Sequence, residues 1–197
     1  MRIRVGNKEE NILKSAVNIF AKEGFYKAKI VDIAEKAGVA TGSVYLYFKS
    51  KEDILLMIFE NIWSFMHNKL EYIVRDKNLS PVDKFDAMID LIFDTFSANP
   101  DTAVVIANEQ MNLVINNKKF TRYYEMFLDI GETIIKEGIV QKVFTPNIEM
   151  NIVRHYILGA FRDLITNWAV TPEEYDLSLI RKNIKQMTLY GLQYRDE

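Results

Sequence analysis

Apolar residues recur three or four positions apart along most of the chain, which is the spacing of one face of an α-helix. The clearest set is Ile12, Ala16, Val17 and Phe20, followed by Gly24, a residue type that commonly ends helices. No segment shows the strict alternation of a β-strand bounded by hairpin turns. The pattern therefore predicts an all-α protein with about nine helices.

Capping residues and prolines predict where the helices begin. Asn7 with Glu10, and Ser50 with Asp53, have the spacing of a capping box, and Pro81 suits a first helical position. A break at Asn99-Pro100 and prolines near later starts complete the pattern. Helices after the first are predicted at about 29–37, 41–48, 51–75, 81–97, 101–115, 119–138, 147–170 and 173–194.

Composition excludes several classes of protein. The chain has no cysteine, which excludes disulfides, thiol catalysis and thiolate-bound metals. Its longest uninterrupted apolar run, Ile54 to Phe59, is far shorter than the ~20 residues that a membrane span needs. The N-terminus lacks the apolar segment of a secretory signal. We therefore expect a cytoplasmic protein.

Charge is unevenly distributed along the chain. The net charge is −2, but residues 1–50 carry nine Lys and Arg against five acids, a net of +4, and the remainder has a net of −6. A basic N-terminal segment on an acidic body is typical of a protein whose one end meets a polyanion, although a solvated charged face gives the same imbalance.

Two of the short predicted helices are joined by Ala37-Gly38-Val39, which fits a helix-turn-helix. Val44 and Phe48 lie four residues apart and would share the inward face of the second helix. The residues left to meet phosphates and base edges are Thr41, Gly42, Ser43, Tyr45 and Tyr47, with Lys49 and Lys51 as flanking phosphate partners. The alternative is that these side chains only cap helices and pack half-buried.

The run 33-IAEKAGVATGSVYLYFKSKEDIL-55 resembles the signature of TetR-family transcriptional regulators, because IA-x-x-AGV, x-G-x-x-Y-x-YF and K-x-KE all fall in register. The resemblance covers about residues 8–57. It implies a DNA-binding domain at 1–50, with a recognition helix at about 41–47, and a ligand-binding and dimerisation domain at 51–197. Carried over by position, the DNA contacts it implies are Thr41, Gly42, Ser43, Tyr45, Tyr47 and Lys51, with Lys29 as a further phosphate contact. Many members have Thr at positions 29 and 30 and Ser at position 40, which leaves individual contacts in doubt.

Within that family the chain is most similar to the FadR-type acyl-CoA-responsive repressors of fatty-acid degradation. The similarity rests on 45-YLYFKSKEDIL-55, 157-ILGAFRDLITNWAV-170 and 175-YDLSLI-180. It implies a dimeric repressor on palindromic operator DNA, released by a small hydrophobic effector such as long-chain acyl-CoA. The alternative within the family is a repressor of a multidrug exporter, in which Glu109, Glu125 or Asp129 would face the pocket and meet cationic drugs.

Bulky apolar residues on the middle helices are candidates for the lining of an acyl-chain cavity, since aromatic and methionine side chains fit irregular apolar shapes. Ordinary core packing is the alternative for each of them. The predicted ligand-binding residues are Phe65, Met66, Phe93, Phe96, Asn108, Met111, Tyr123, Phe127 and Trp168.

The resemblance also implies that the last two helices form a four-helix bundle with a second subunit. Small residues there permit close helix approach, and apolar residues offer a seam, although the same residues could pack only within the chain. The predicted dimer interface contains Ile152, Tyr156, Gly159, Ala160, Asp163, Leu164, Ile180, Ile184 and Met187, with Arg162–Asp163 as an ion pair.

No catalytic or metal-binding constellation is visible in the sequence. His67 and His155 are the only histidines and lie on different predicted helices, and no nucleophile–base pair or phosphate-binding glycine loop is present. We therefore expect no catalytic residues, no metal and no cofactor. An all-α enzyme would need such a constellation, and a general nucleoid-binding protein would show no preference for one palindrome.

Overall fold

The computed structural model describes residues 8–116 and 121–193, with the backbone alone for 110–116 and 121. Within these residues the chain forms helices joined by short turns, and the only strand-like pairing is an isolated bridge between Phe144 and Gln193. In order, the helices are α1 Lys8–Glu23, α2 Ile30–Lys36, α3 Thr41–Val44, α4 Lys51–Arg75, α5 Pro81–Ser97, α6 Pro100–Asn116, α7 Thr121–Val140, α8 Met150–Val170 and α9 Leu177–Leu192. The predicted all-α fold is confirmed.

Three helix ends differ from the prediction by three residues or more. α3 ends at Val44 rather than near residue 48, because the next hydrogen bonds tighten, with the Leu46 N–H donating to the Ser43 carbonyl. α8 begins at residue 150 rather than 147. α9 begins at residue 177 rather than 173, because Asp176 caps it by accepting the N–H groups of residues 178 and 179 at 2.8 and 3.3 Å.

The predicted cap of the long helix is present, and α5 begins at Pro81 as predicted. Ser50 Oγ accepts the Asp53 N–H at 3.2 Å, while the Asp53 carboxylate accepts the N–H of Lys49. At α5, Ser80 and Asp83 form a complete capping box in front of a proline at the first helical position. The predicted cap Asn7 lies outside the described residues.

The chain divides into two compact units, Met1–Ile62 with Asp101–Phe120, and Trp63–Pro100 with Thr121–Glu197. In the first unit α1, α2 and α3 pack on one another, and Asn18 of α1 donates a hydrogen bond of 2.8 Å to Asp101 of α6. The unit boundary falls inside α4, which is one continuous helix, so the domain boundary at residue 50 stays a prediction. The buried apolar side chains of α1 to α3 include Ile12, Ala16, Phe20, Ile33, Ala34 and Val44.

In the second unit α5 packs against α7, α8 and α9. Its core is aromatic, with the Phe93 and Phe161 rings 5.5 Å apart and the Phe85 and Phe144 rings 6.1 Å apart. Burying one such side chain stabilises a fold by about 1.5–3 kcal/mol. Gly138 is required, because a Cβ there would lie 2.1 Å from the Phe144 ring. In the described ranges no helix is long and apolar enough to cross a membrane.

Candidate DNA-binding surface and effector cleft

The helix-turn-helix is built by a left-handed turn after α2. Gly38 has φ +67°, a conformation that favours glycine, and the Val39 N–H donates to the Ala34 carbonyl at 3.0 Å. Val44 and Phe48 are then both buried, as the sequence predicted, which fixes the orientation of α3 against α2.

Exposure along α3 and the turn after it follows a helical period. Thr41 and Gly42 are exposed, and one turn later Tyr45 and Leu46 are exposed. Of the other predicted DNA contacts, Lys49 is exposed, and Ser43 and Tyr47 are half-buried on the flank of this face. Their contact with DNA stays a prediction.

Leu46 was missed by the sequence reasoning. Its side chain is 82% exposed, more than either neighbouring tyrosine, and it lies on the same face as Gly42 four residues earlier. The signal that could have found it is its position two residues after the inward Val44, where a large apolar residue has no core to enter. An exposed leucine in the turn after the predicted recognition helix suits contact with the methyl group of thymine.

The two remaining predicted contacts, Lys29 and Lys51, differ in whether the side chain already has partners within the protein. Lys29 is exposed in front of α2, and no side-chain cap hydrogen bond forms there. Lys51 is held within its own unit, because its ammonium donates to the Tyr26 and Ala28 carbonyls at 3.2 and 2.9 Å and lies 4.7 Å from the centre of the Phe25 ring. An ammonium has three N–H groups, so one is left for a phosphate.

An apolar cleft lies in the second unit between α5, α7 and α8. Its cavity volume is about 40 Å³, room for about one water molecule and far below the ~300 Å³ of small ligand-binding pockets. Met88 approaches so closely that its sulfur would lie 3.2 Å from a Cβ at Gly131. The cleft is therefore narrow. The apolar residues that line it include Phe85, Met88, Ile92, Phe127, Leu128, Ile135, Val153 and Ile157.

Arg154 and Glu132 are the charged residues of this cleft. From α8, Arg154 donates to three carboxylates of α7, to Glu132 at 3.0 Å, Glu125 at 3.1 Å and Asp129 at 3.2 Å. Its side chain is 18% exposed, and its buried Nε has no hydrogen-bond partner among the described residues. The four groups tie α7 to α8 beside the cleft. Glu125 and Asp129, two acids considered for cationic drugs, are thus engaged by an arginine, and Glu109 is buried on α6.

The structure does not gather the predicted ligand-binding residues around the cleft. Phe127 lines it, whereas Met66, Phe93 and Phe96 are buried in the second unit without lining it. The others are scattered in exposure: Phe65 and Asn108 are exposed, Tyr123 and Trp168 are half-buried, and the side chain of Met111 lies outside the described residues. Their contact with a ligand stays a prediction.

The predicted dimer residues lie on α8 and α9, which pack on each other. Several large apolar side chains there face outward, which suits an interface. Asp163 accepts a hydrogen bond from Asn167 at 3.2 Å, and its pairing with Arg162 stays a prediction. Ile152, Tyr156, Asp163 and Met187 are exposed, Gly159, Ala160, Leu164 and Ile180 are half-buried, and Ile184 is buried within the chain. Whether this surface pairs with a second subunit stays a prediction.

No group of three or more histidine, aspartate or glutamate side chains able to hold a metal occurs among the described residues. The chemistry that the two units offer is therefore a basic, hydroxyl-bearing helical face and an apolar cleft bordered by one arginine with three carboxylates.

Comparison with known proteins gives the family. The chain matches the family model for bacterial regulatory proteins of the tetR family over residues 12–58, and the model for the C-terminal region of YsiA-like proteins over residues 59–191. It is 27% identical over 187 residues to the fatty acid metabolism regulator protein of Bacillus subtilis, covering 94% of this chain and 95% of that protein.

Two solved structures agree. The fatty acid degradation regulator FadR from Bacillus halodurans superposes with a TM-score of 0.83 at 27% identity, over 98% of this chain and 100% of that chain. FadR from Bacillus subtilis, in complex with stearoyl-CoA, superposes with a TM-score of 0.80 at 26% identity, over 94% of this chain and 100% of that chain. The helix-turn-helix of α2 and α3, the helical second unit and these matches lead to one conclusion: the chain belongs to the TetR family of bacterial transcriptional regulators, with a YsiA-like C-terminal region.

Proposed function

We propose that this regulator is a homodimeric repressor that binds a palindromic operator and leaves it when it binds long-chain acyl-CoA, so that genes of fatty-acid metabolism are expressed. The observation that carries the proposal is the similarity, over nearly the full length of both chains, to a regulator seen in complex with stearoyl-CoA. The relatives are transcriptional regulators, and we assign no catalytic activity.

The exposed face of α3 supports the DNA-binding part. Thr41 and Tyr45 present hydroxyls for phosphates and base edges, Leu46 presents a methyl-bearing side chain, and Lys29 and Lys49 present charge for the backbone. In a two-fold symmetric dimer, two such faces would meet half-sites about 34 Å apart or a multiple of that distance.

The narrow cleft supports a long apolar effector rather than a short one. An acyl chain needs far more room than this cleft offers, so the helices that line it must move apart, and separating α7 from α8 breaks the contacts of Arg154 with its three carboxylates. Each of these partly exposed ion pairs contributes about 1 kcal/mol or less, so opening costs a few kcal/mol. Each buried methylene contributes about 0.8 kcal/mol of binding free energy. Burying a stearoyl chain therefore releases several times the free energy that opening the cleft costs, whereas burying a hexanoyl chain barely matches that cost.

Binding of effector and DNA must be coupled through different affinities of two states. An effector that binds the state without DNA affinity a hundredfold more tightly than the DNA-binding state shifts the equilibrium between the two states by roughly 2.7 kcal/mol. We propose that α4 carries this coupling, because it is one rigid helix that begins beside Lys49 and continues into the second unit.

Fluorescence anisotropy of a labelled duplex from the DNA upstream of the protein's own gene tests the proposal. We expect stearoyl-CoA to release the duplex at concentrations where hexanoyl-CoA and free CoA do not. Release by tetraphenylphosphonium, but not by stearoyl-CoA, would assign the protein to drug-responsive regulators instead. If no acyl-CoA changes the anisotropy, the proposed effector is wrong.

A further inference from the structure

A basic groove lies in the second unit, outside the apolar cleft. It has a volume of about 820 Å³ and lies between α5, α9 and the segment that follows α7. Four cations and one carboxylate line it, a net charge of +3, although residues 51–197 together carry −6. A basic concavity on an acidic body is a surface that attracts an anionic group.

Two of the four cations of the groove already have partners. Arg181 and Lys185 are engaged by aspartates of α5. Lys142 and Lys182 are exposed, and neither has a hydrogen-bonded or ion-paired side-chain partner in the part of the chain that the structure describes. These two ammonium groups are therefore what the groove offers to an anion.

Lys142 occupies a backbone position that ordinarily belongs to glycine. Its φ is +58°, directly after α7, where its N–H donates to the Ile139 carbonyl at 3.0 Å and the Val143 N–H donates to the Gly138 carbonyl at 2.8 Å. This is the Schellman arrangement, in which glycine avoids the strain that a Cβ introduces. A lysine at such a position, beside a groove, points to a role for its ammonium group.

The end of α9 is tied to the segment that carries Lys142. Phe144 and Gln193 form an antiparallel bridge, and the Thr145 N–H donates to the Leu192 carbonyl at 2.8 Å. In an antiparallel pair the two chains run in opposite directions, so the chain that leaves Gln193 heads back towards Lys142. Gln193 itself lines the groove. The residues that follow position 193 therefore start at the groove, on the side of Lys142.

Those residues lie outside the described part of the chain, and they carry the complementary charge. They are Tyr194, Arg195, Asp196 and Glu197. If the register of the bridge continues, Arg195 faces Lys142 and the two acids follow within one or two residues, each of which spans at most about 3.6 Å. Because this segment is tethered to the groove, its effective concentration there is in the millimolar range, which favours it over a free anionic partner.

We propose that residues 194–197 dock in the groove between α5 and α9, where the Asp196 and Glu197 carboxylates pair with the Lys142 ammonium. The docked segment fastens the end of α9 to the turn after α7 and makes Lys142 unavailable to anions from solution. This inference goes beyond the proposed function and does not depend on it.

A zero-length carbodiimide cross-linker tests the contact in the full-length protein, because it joins an ammonium to a carboxylate only where the two meet. Labelled (¹⁵N) and unlabelled protein are mixed, so that peptide mass spectrometry separates cross-links within one chain from cross-links between two. We expect Lys142 to be joined to Asp196 or Glu197 of the same chain. Lys182 is the internal control: it lines the same groove but lies about 16 Å from Gln193 along the axis of α9, so it should be joined to neither.

A second measurement follows the docked segment without a cross-linker. An arginine-specific protease cuts after Arg195 and removes residues 196–197, which intact mass measures directly. Lys142→Gly removes the ammonium and relieves the backbone strain, so its effect is not a loss of folding. We expect this variant to be cut after Arg195 about fivefold faster than the parent, as the loss of one exposed ion pair allows, and Lys182→Ala to be cut at the parent rate.

Three results would overturn the inference. They are the absence of a cross-link between Lys142 and residues 196–197, a cross-link of equal yield at Lys182, and a cleavage rate after Arg195 that Lys142→Gly leaves unchanged. Cross-links that join labelled to unlabelled chains would assign the groove to a second copy of the chain, and they would overturn the inference as well.

Discussion

Lys51 and Lys49 are expected to have different roles, which their separate replacement by alanine can distinguish. Lys51 should stabilise the DNA-binding unit, whereas Lys49 should contribute to DNA binding without stabilising the fold. The two residues lie on either side of Ser50, and sequence reasoning gave both the same role. In the structure, the Lys51 ammonium is bound to two carbonyls and a phenylalanine ring, while Lys49 is exposed.

The stability change for Lys51→Ala follows from those contacts. The Ala28 carbonyl is part-buried and loses the donor at 2.9 Å, whereas the exposed Tyr26 carbonyl can bind water instead. One hydrogen bond from a charged donor is worth about 1.5–3 kcal/mol, and a partly exposed cation–π contact adds about 0.5 kcal/mol. We therefore expect a loss of about 2 kcal/mol, which lowers the melting midpoint of a chain of this size by about 4–8 °C.

Lys49→Ala should leave stability within about 0.5 kcal/mol, because the Lys49 contact with Asp53 is made by the backbone N–H. Its effect should appear in the salt dependence of DNA binding instead. Losing one phosphate contact per protomer, two per dimer, reduces the slope of log K against log salt by about 1.8.

Thermal unfolding and anisotropy titrations across a range of salt concentrations measure the two effects on the same preparations. Lys22→Ala, an exposed substitution in the last turn of α1, is the control for removing one positive charge from the unit. If Lys51→Ala melts like the parent, or if Lys49→Ala lowers the midpoint by as much, the assignment of roles is refuted.

Three further predictions concern the fold. Lys84 and Glu137 form an ion pair, and removing either partner should have a different cost. Glu137→Gln should destabilise the fold by about 3 kcal/mol, because it leaves the Lys84 ammonium unpaired in a side chain only 5% exposed, whereas Lys84→Met should cost about 1 kcal/mol, because the carboxylate it leaves is 32% exposed to water. Equal losses of stability in urea unfolding would contradict this. Ser80→Ala should cost about 1 kcal/mol in the same assay, with Ser80→Asp, which retains an acceptor, close to the parent. Hydrogen bonds from the Ser178 hydroxyl and from the Leu179 backbone N–H lower the pKa of Asp176 from 3.8. The stabilisation by this carboxylate is therefore complete above pH 3.8 and is lost as the pH falls through the lower pKa of the folded state. The parent and Asp176→Asn should converge in stability in acid, and a stability difference that does not change with pH would contradict this.

Much of the fold was predictable because helix ends are decided locally. Pro81 with its capping serine and the residue pair Ser50 and Asp53 begin helices where the sequence indicated. α3 is the exception for a tertiary reason. Phe48 must reach the core before α4 begins at Lys51, so the chain after Val44 tightens into turns although its residues suit a longer helix.

The apolar cleft was much less predictable, because its charged border joins distant parts of the chain. Glu125, Asp129 and Glu132 have the spacing of one helical face, but the sequence does not reveal that Arg154 of another helix faces them. Likewise, whether a phenylalanine lines a cleft or fills the core depends on how α5, α7 and α8 pack, which is why Phe127 lines the cleft and Phe93 does not.

The central claim is that acyl-CoA and operator compete through two states of one protein, and thermodynamic reciprocity tests it directly. The measurement is the dissociation constant of stearoyl-CoA with and without saturating operator duplex at fixed salt, set beside that of the operator with and without stearoyl-CoA. We expect each ligand to weaken the binding of the other by the same factor, about a hundredfold. A stearoyl-CoA affinity that the operator leaves unchanged would contradict it.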